Sequence, residues 1–402
     1  MVYMDVTGCC KSPRSTGMQR NNRRIFREMI RRVPVTPIFW NPIGNRYQLL
    51  GRRERAILEE PSRFLTRPIA RPEFRGEYFP AELYRQIFRK SIRLENELRS
   101  GDVLFVPDIF RDGRLKKLFP AISQTGARAV AIFSDAAALR LSLLNAGARA
   151  KFESYIVALA NFDLVICVSE ASRNDLCQFW AELGVPPTET VVETWPTEPV
   201  KTQHLPSNAT RALILCVGSF EPRKNHLTLL RAANFLWSSG LDFDLELIGR
   251  STGGFGSKVT AELDKLRRSA RPIRWLKQVN DSVLDHAYQA CRFTVYPSLM
   301  EGFGLPIVES LVHGKPCICG GNGALGEVAR SGGCLIVDQT KPDMLADAIK
   351  TLLLDRELYS RLCEEARTRK FRSWSDYTDN LLTHLQLPDR AGAVGTRLPG
   401  NI

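Results

Sequence analysis

Short apolar runs alternate with helical patterns along the whole chain. In the first half "VYMDV", "DVLFVPD", "AVAIFSD" and "DLVICVSE" end in polar or turn residues. Runs of this length without polar alternation read as strands buried in a parallel sheet. Helical segments follow them, and Ser169 in "SEASRNDL" offers an N-cap for one. From Trp195 to Ala212 the pattern gives way to Pro, Thr and polar residues, which reads as a link between domains. The alternation then restarts with "ALILCVGS", "DLELIGR", "IRWLKQV", "FTVYPS", "PCICGG" and "GCLIVD". The expected fold class is therefore α/β, with two doubly wound domains facing a central cleft at their strand C-terminal ends. The boundaries drawn are 1–195 and 196–370, a C-terminal helix at 371–386 starting from Ser373 or Ser375, and a disordered tail at 387–402.

Two segments are strongly basic. Gln19–Arg32 places Ile25, Phe26, Met29 and Ile30 on one face among arginines, and Leu83–Arg99 does the same with Leu83, Ile87, Ile92 and Leu94. Both read as amphipathic helices whose basic outer faces are either simply solvated or rest on an anionic bilayer. The net charge of +13 points to anionic partners. Nucleic acid is disfavoured, because no basic–aromatic alternation or known binding module is present. No apolar run reaches the ~18–20 residues of a membrane span. The start "MVYMDVTGCC" lacks a basic region followed by an apolar core, so a cytoplasmic protein is expected, peripheral on the inner membrane face. The 402 residues suit two domains, and the 10 cysteines, without a CxxC spacing, read as reduced core residues. No metal site is expected, since no cysteine cluster pairs with a histidine at metal spacing.

"EGFGLPIVES" sets Glu301 and Glu309 eight positions apart. On one helix they would stand about 12 Å apart along the axis and roughly 80° around it, too far for the ~5–5.5 Å pair of a retaining glycosidase. Gly302 and Gly304 favour a loop, and Pro306 suits the first helical turn. Glu301 is thus a loop residue and Glu309 lies one turn into a helix. The amides of Phe303, Gly304 and Leu305 point outward at the helix start, a place for a phosphate or a sugar oxygen. A second stretch, "VGSFEPRKNHLTLLRAA", reads as a strand ending at Gly218, a tight loop, and a helix from about Asn225 with Arg223 and Lys224 at its mouth. Two cations at a strand-loop-helix mouth suit a pyrophosphate.

Through these two motifs the chain resembles retaining nucleotide-sugar glycosyltransferases of GT-B fold, glycosyltransferase family 4, also called group 1. "EGFGLPIVES" is similar to that family's Glu-x7-Glu motif and "GSFEPRKN" to its donor-phosphate loop; "DLVICVSEASRNDL" and "DVTGCCKSPRSTGMQR" resemble its acceptor-side segments. The resemblance implies two Rossmann-like domains. Glu301 would contact the transferred sugar, the Phe303–Leu305 amides the sugar and phosphates, and Glu309 the ribose. Arg223 and Lys224 would neutralise the diphosphate. Val279 would meet the nucleobase through its backbone, and Gly17 and Arg20 would close over the phosphates. The C-terminal helix would cross back to the first domain. The implied reaction is metal-independent transfer of a hexose or deoxyhexose, of mannose type, from a nucleoside-diphosphate sugar. The acceptor would be a glycolipid, a polyprenyl-linked sugar or another polysaccharide precursor, as in lipopolysaccharide or O-antigen biosynthesis. The leaving phosphate would help deprotonate the acceptor, with Asp135 as a helper base, and no cofactor is implied.

Two positions depart from the family pattern. Ser219 stands where many members have an arginine, which leaves Arg250 as a substitute cation, and Ser134 replaces the histidine that usually precedes Asp135. Asp135 also reads as a helix N-cap, His226 as loop packing, Glu327 as a first-turn helix carboxylate, and Asp242 and Asp244 of "DFD" as a strand-entry turn. The same cleft could also serve a phosphorylase, an epimerase or a non-catalytic nucleotide-sugar binding protein. No lysine is singled out for pyridoxal phosphate, and the intact Glu301, Lys224 and Glu309 set favours a transferase.

Overall fold

The computed structural model describes residues 1–10, 17–42, 44–59, 91–197 and 211–387. Among the described residues the first sheet has eight strands, β1 (Val2–Asp5), β2 (Val35–Asn41), β3 (Arg46–Leu49), β4 (Ser91–Ile92), β5 (Val103–Val106), β6 (Arg128–Phe133), β7 (Leu164–Cys167) and β8 (Thr190–Val192). Their spatial order is β4-β3-β2-β1-β5-β6-β7-β8, and only the β2–β3 and β3–β4 pairings are antiparallel. The second sheet, wholly parallel, contains β9 (Ala212–Val217), β10 (Phe243–Ile248), β11 (Ile273–Leu276), β12 (Phe293–Tyr296), β13 (Cys317–Gly320) and β14 (Cys334–Val337). Its order, β11-β10-β9-β12-β13-β14, reverses direction between β9 and β12. In such sheets the switch point opens a crevice at the strand C-terminal ends, where ligands bind. The two domains form the GT-B arrangement expected from the sequence.

All ten strands read from apolar runs are present. The four other strands, β2, β3, β4 and β8, were not read from the sequence, for physical reasons. β2 starts "VTP", and Pro34 and Pro37 lack the amide a strand donates, which masks it; in the sheet Pro37 lies opposite Met4 of β1. β3, β4 and β8 are only two to four residues long, too short for a period to show. The helix read over Leu83–Arg99 does not form where it is described. Ser91–Ile92 is a strand, because Ile92 pairs with Tyr47, and a short helix, Leu94–Glu97, follows. Residues 83–90 of that reading, most of the inter-domain link and the tail from 388 lie outside the described residues.

The other basic helix, Gly17–Met29, forms, but its arginines do not make a free solvated face. Arg23 is buried and donates to the Cys9 carbonyl (2.8 Å), while Glu28 holds Arg24, Arg31 and Arg32. Ile30 falls beyond the helix end and is exposed rather than in the core. The helix Trp374–His384, capped by Ser373, lies against the first domain. Trp374, Tyr377, Leu381, Leu382 and Leu385 join the core of Val2, Met4, Ile25 and Phe26. Burying five such side chains contributes on the order of 10 kcal/mol, which fixes the helix to the first domain although it follows the second in sequence. All 10 cysteines are free thiols. Among the described residues no helix is long and apolar enough to cross a membrane.

Candidate functional site

A cleft of about 640 Å³ separates the domains, and Gly17, Arg20, Asp135, Arg223, Lys224, Val279, Glu301, Phe303, Gly304, Leu305 and Glu309 all line it. Strand adjacency brings the two motifs together. The loop after β9 and the loop after β12 leave neighbouring strand ends, and they are tied by backbone and side chain. Leu299 N donates to the Arg223 carbonyl (2.7 Å), and Ser298 Oγ donates to the same oxygen (3.1 Å). After Gly218 and Ser219 the chain makes a 3-10 turn, Pro222–Lys224, and enters the helix His226–Ser238 through Asn225 in the left-handed region. This turn aims Arg223 and Lys224 at Glu301.

Glu301 is enclosed by donors. Its Oε1 accepts from Lys224 Nζ (2.5 Å), Tyr296 OH (2.7 Å) and Ser298 Oγ (2.5 Å), and its Oε2 pairs with Arg223. Burial alone would push this carboxyl up, but Lys224 and Arg223 outweigh it and hold the group down at about 2. Burial lowers the Lys224 ammonium, against the pull of Glu301. Arg223 reaches Glu221 through Nε (3.1 Å), and Glu221 also accepts from Ser219 Oγ (2.5 Å). Ser219 therefore braces the loop through Glu221.

Gly304 has φ 103°, a conformation that suits only glycine, and it opens the helix Leu305–Val312 with Pro306 in its first turn. Glu309, one turn in, pairs with Arg20 of the first domain and accepts from Tyr288 OH (2.8 Å). Arg20 thus faces a carboxylate, and Asp281 stands 3.9 Å away. Gly302 touches the opposite wall: a Cβ there would lie 2.1 Å from the Ser134 carbonyl oxygen. Only glycine allows that approach, which sets Glu301 beside the Ser134–Asp135 corner. Asp135 is not the N-cap of the short helix Ala137–Arg140: that position is Ala136, and Asp135, one residue earlier, accepts from Ala137 N through Oδ1 (3.1 Å). Burial pushes the Asp135 carboxyl up, with Arg223 opposing and Glu301 adding to the rise.

The other candidates fall into place. His226 is buried, edge-on to Phe220 at 4.8 Å, and burial drives it down to about 3, so it packs as a neutral ring. Asp242 precedes β10 and Asp244 is its second residue, at the N-terminal end of the strand away from the cleft, beside Arg211. Glu327 is not a first-turn carboxylate: it is the fifth residue of the helix Gly323–Ala329 and reaches across to the first domain. Sequence reading also missed Tyr296, Ser298 and Tyr288. The usable signal was position, since Tyr296 ends β12 and Ser298 follows it at the switch point.

Residues 198–369 match the family described as "Glycosyl transferases group 1". The chain is 25% identical to "Serotype-specific mannosyltransferase WbdA" of Escherichia coli over 357 residues, covering 79% of the chain and 37% of that protein. It is 30% identical to "O-antigen chain mannosyltransferase B" of Escherichia coli over 210 residues, covering 49% of the chain and 53% of that protein. The chain thus spans between about a third and a half of the length of these curated relatives. In fold it is similar to Anabaena HepE, solved with UDP and glucose, with TM-score 0.68, 16% identity, and coverage of 96% and 99% of the two chains.

Proposed function

From the match of residues 198–369 to the group 1 glycosyl transferases, we propose that the protein is a retaining hexosyltransferase. It would move a hexose or deoxyhexose, of mannose type, from a nucleoside-diphosphate sugar to a glycolipid or polysaccharide-precursor acceptor. The observation that carries this reading is the buried Glu301, held ionised by Arg223, Lys224 and two hydroxyls at the switch point of the second sheet. The names of the mannosyltransferase relatives support the sugar, and the UDP and glucose complex of the HepE neighbour supports the donor class.

In this reading the diphosphate lies over the helix start at Gly304 and beside Arg223 and Lys224. These groups stabilise the charge that develops on the leaving phosphate. Glu301 meets the sugar hydroxyls while fixing both cations. Glu309 exchanges Arg20 for the ribose, and Arg20 turns to the phosphates. Val279 and its neighbours Lys277 and Gln278 frame the base, and Arg250 supplies a further cation. The C1–O bond to phosphate breaks as the acceptor oxygen bonds C1 from the same face. The acceptor proton passes to the departing phosphate, with Asp135 beside it as a base strengthened by burial. No cofactor takes part, and Arg223 and Lys224 stand where a metal would otherwise balance the diphosphate. Membrane association, if the acceptor is a glycolipid, would be peripheral on the inner cytoplasmic face.

A panel of nucleoside diphosphates and their sugars in a thermal-shift assay identifies the donor, because binding to the folded state raises Tm. Transfer from the radiolabelled donor is then measured in excess EDTA. Turnover in EDTA is expected. Tight binding without transfer to any lipid-linked acceptor would instead leave a non-catalytic binding protein.

A further inference from the structure

Glu327 belongs to the second domain, on the helix Gly323–Ala329, yet its carboxylate caps a helix of the first. Its Oε2 accepts from Glu170 N (3.1 Å) and its Oε1 from Ala171 N (2.6 Å). These are the first two amides of the helix Glu170–Glu182, and they have no partner within that helix. The third, Ser172 N, is satisfied by Ser169 Oγ (3.0 Å) from its own chain segment. The first turn is therefore completed only when the second domain is docked. The same turn holds the reacting corner together. The buried Ser172 hydroxyl donates to the Ser134 carbonyl (2.6 Å) and lies 3.1 Å from the Gly302 carbonyl. Those two residues precede Asp135 and follow Glu301.

We propose that Glu327 is a positioning residue that couples closure of the cleft to the placement of Glu301 against Asp135. Its carboxylate recognises the positive end of the helix and two free amides, an anion site that the first domain offers and the second domain fills. When the cleft opens, those amides and the Ser172 hydroxyl turn to water, and the Gly302–Ser134 contact is released. On closure they re-form together, because all lie on one helical turn. The sugar-facing loop is then in register with the opposite wall only in the closed state. Nucleoside-diphosphate groups held by the second domain, Arg223 and Lys224 above all, do not depend on this contact.

The turnover arm of the test rests on the transferase reading; the exchange arm does not. Glu327→Ala and Glu327→Gln are compared with the unaltered protein by amide hydrogen exchange, by nucleoside-diphosphate calorimetry and by transfer rate at saturating donor. In Glu327→Ala the Glu170 and Ala171 amides are expected to exchange faster. Transfer is expected to fall about ten- to a hundred-fold, the scale of lost charged hydrogen bonds, while diphosphate affinity changes less than about three-fold. Glu327→Gln, which keeps an acceptor oxygen, recovers part of both the exchange protection and the rate. Unchanged exchange at those two amides overturns the proposal. So does a fall in diphosphate affinity that matches the fall in rate, since Glu327 would then support the second domain alone. If the unaltered protein transfers no sugar, the transferase reading fails, and the exchange of those two amides still decides the coupling.

Discussion

Glu301 and Glu309 share one short stretch and sit in opposite surroundings. Every donor around Glu301, from Arg223 and Lys224 to Tyr296 and Ser298, comes from its own domain. Glu309 takes one donor, Tyr288, from its own domain and its cation, Arg20, from the other. The first carboxylate is organised before any ligand arrives or any domain moves. The second is half of a contact across the cleft, and a ligand can replace that half. Preorganisation belongs where charge develops in the transition state, and exchangeable pairing suits ground-state binding. Under the proposed function, the two positions would separate chemistry from affinity.

The largest expected effect breaks the Glu301 side. Glu301→Gln leaves the buried Lys224 without a carboxylate and Arg223 with Glu221 alone, which costs about 3–5 kcal/mol of stability. Turnover should fall by about two orders of magnitude or more, since an interaction that strengthens in the transition state is lost. Affinity for the free diphosphate should hold or rise, because both cations are released to it. Chemical denaturation, single-turnover transfer and calorimetry read the three quantities. Equal damage to binding and turnover would erase the division between the two glutamates.

An acid titration sharpens the same point. Glu301 is held at about 2, below its unfolded value, so its contribution is present above the unfolded value and is lost as pH falls through the folded one. Between about pH 5 and pH 2 this amounts to a loss on the order of 3 kcal/mol that Glu301→Gln should not show. Denaturation midpoints of the two proteins measured down this range should converge. Parallel curves would mean that Glu301 does not carry the acid sensitivity.

On the other side, Glu309→Gln should weaken nucleoside-diphosphate binding by about 1.5–3 kcal/mol, roughly ten- to a hundred-fold in Kd. Its turnover at saturating donor should stay within several-fold of the unaltered protein. The smallest effect is expected at Arg20. The Arg20–Glu309 pair keeps some solvent access, so Arg20→Ala should cost under about 1 kcal/mol of folding stability. Under the proposed function, its loss would remove both a phosphate contact and a competitor for Glu309, and the two would oppose each other in the measured Kd. A Tm drop as large as that of Glu301→Gln would make Arg20 a structural bolt rather than an exchangeable partner.

Local pattern carried most of the second domain. Each of its strands is a short, mostly apolar run in a parallel sheet, bounded by turn residues or helical segments, and Gly304 and Pro306 announce the helix that bears Glu309. The first domain was less legible. Pro37 and the very short β3 and β4 hide the antiparallel edge, because neighbouring strands rather than their own sequence hold them in place.

The sequence by itself determined which residues could hold a diphosphate and a sugar: two carboxylates and two cations on loops that follow strands. Such motifs are local, since turn geometry and helix starts depend on a few adjacent side chains. Only the tertiary structure decided how those charges are shared. Arg223 and Lys224 reach Glu301 because β9 and β12 are neighbours, and Arg20 reaches Glu309 because the domains face each other. Glu327 shows the same dependence most plainly. Within its own helix it has no partner that the sequence could reveal, and its role exists only where the first turn of Glu170–Glu182 is brought to it across the cleft.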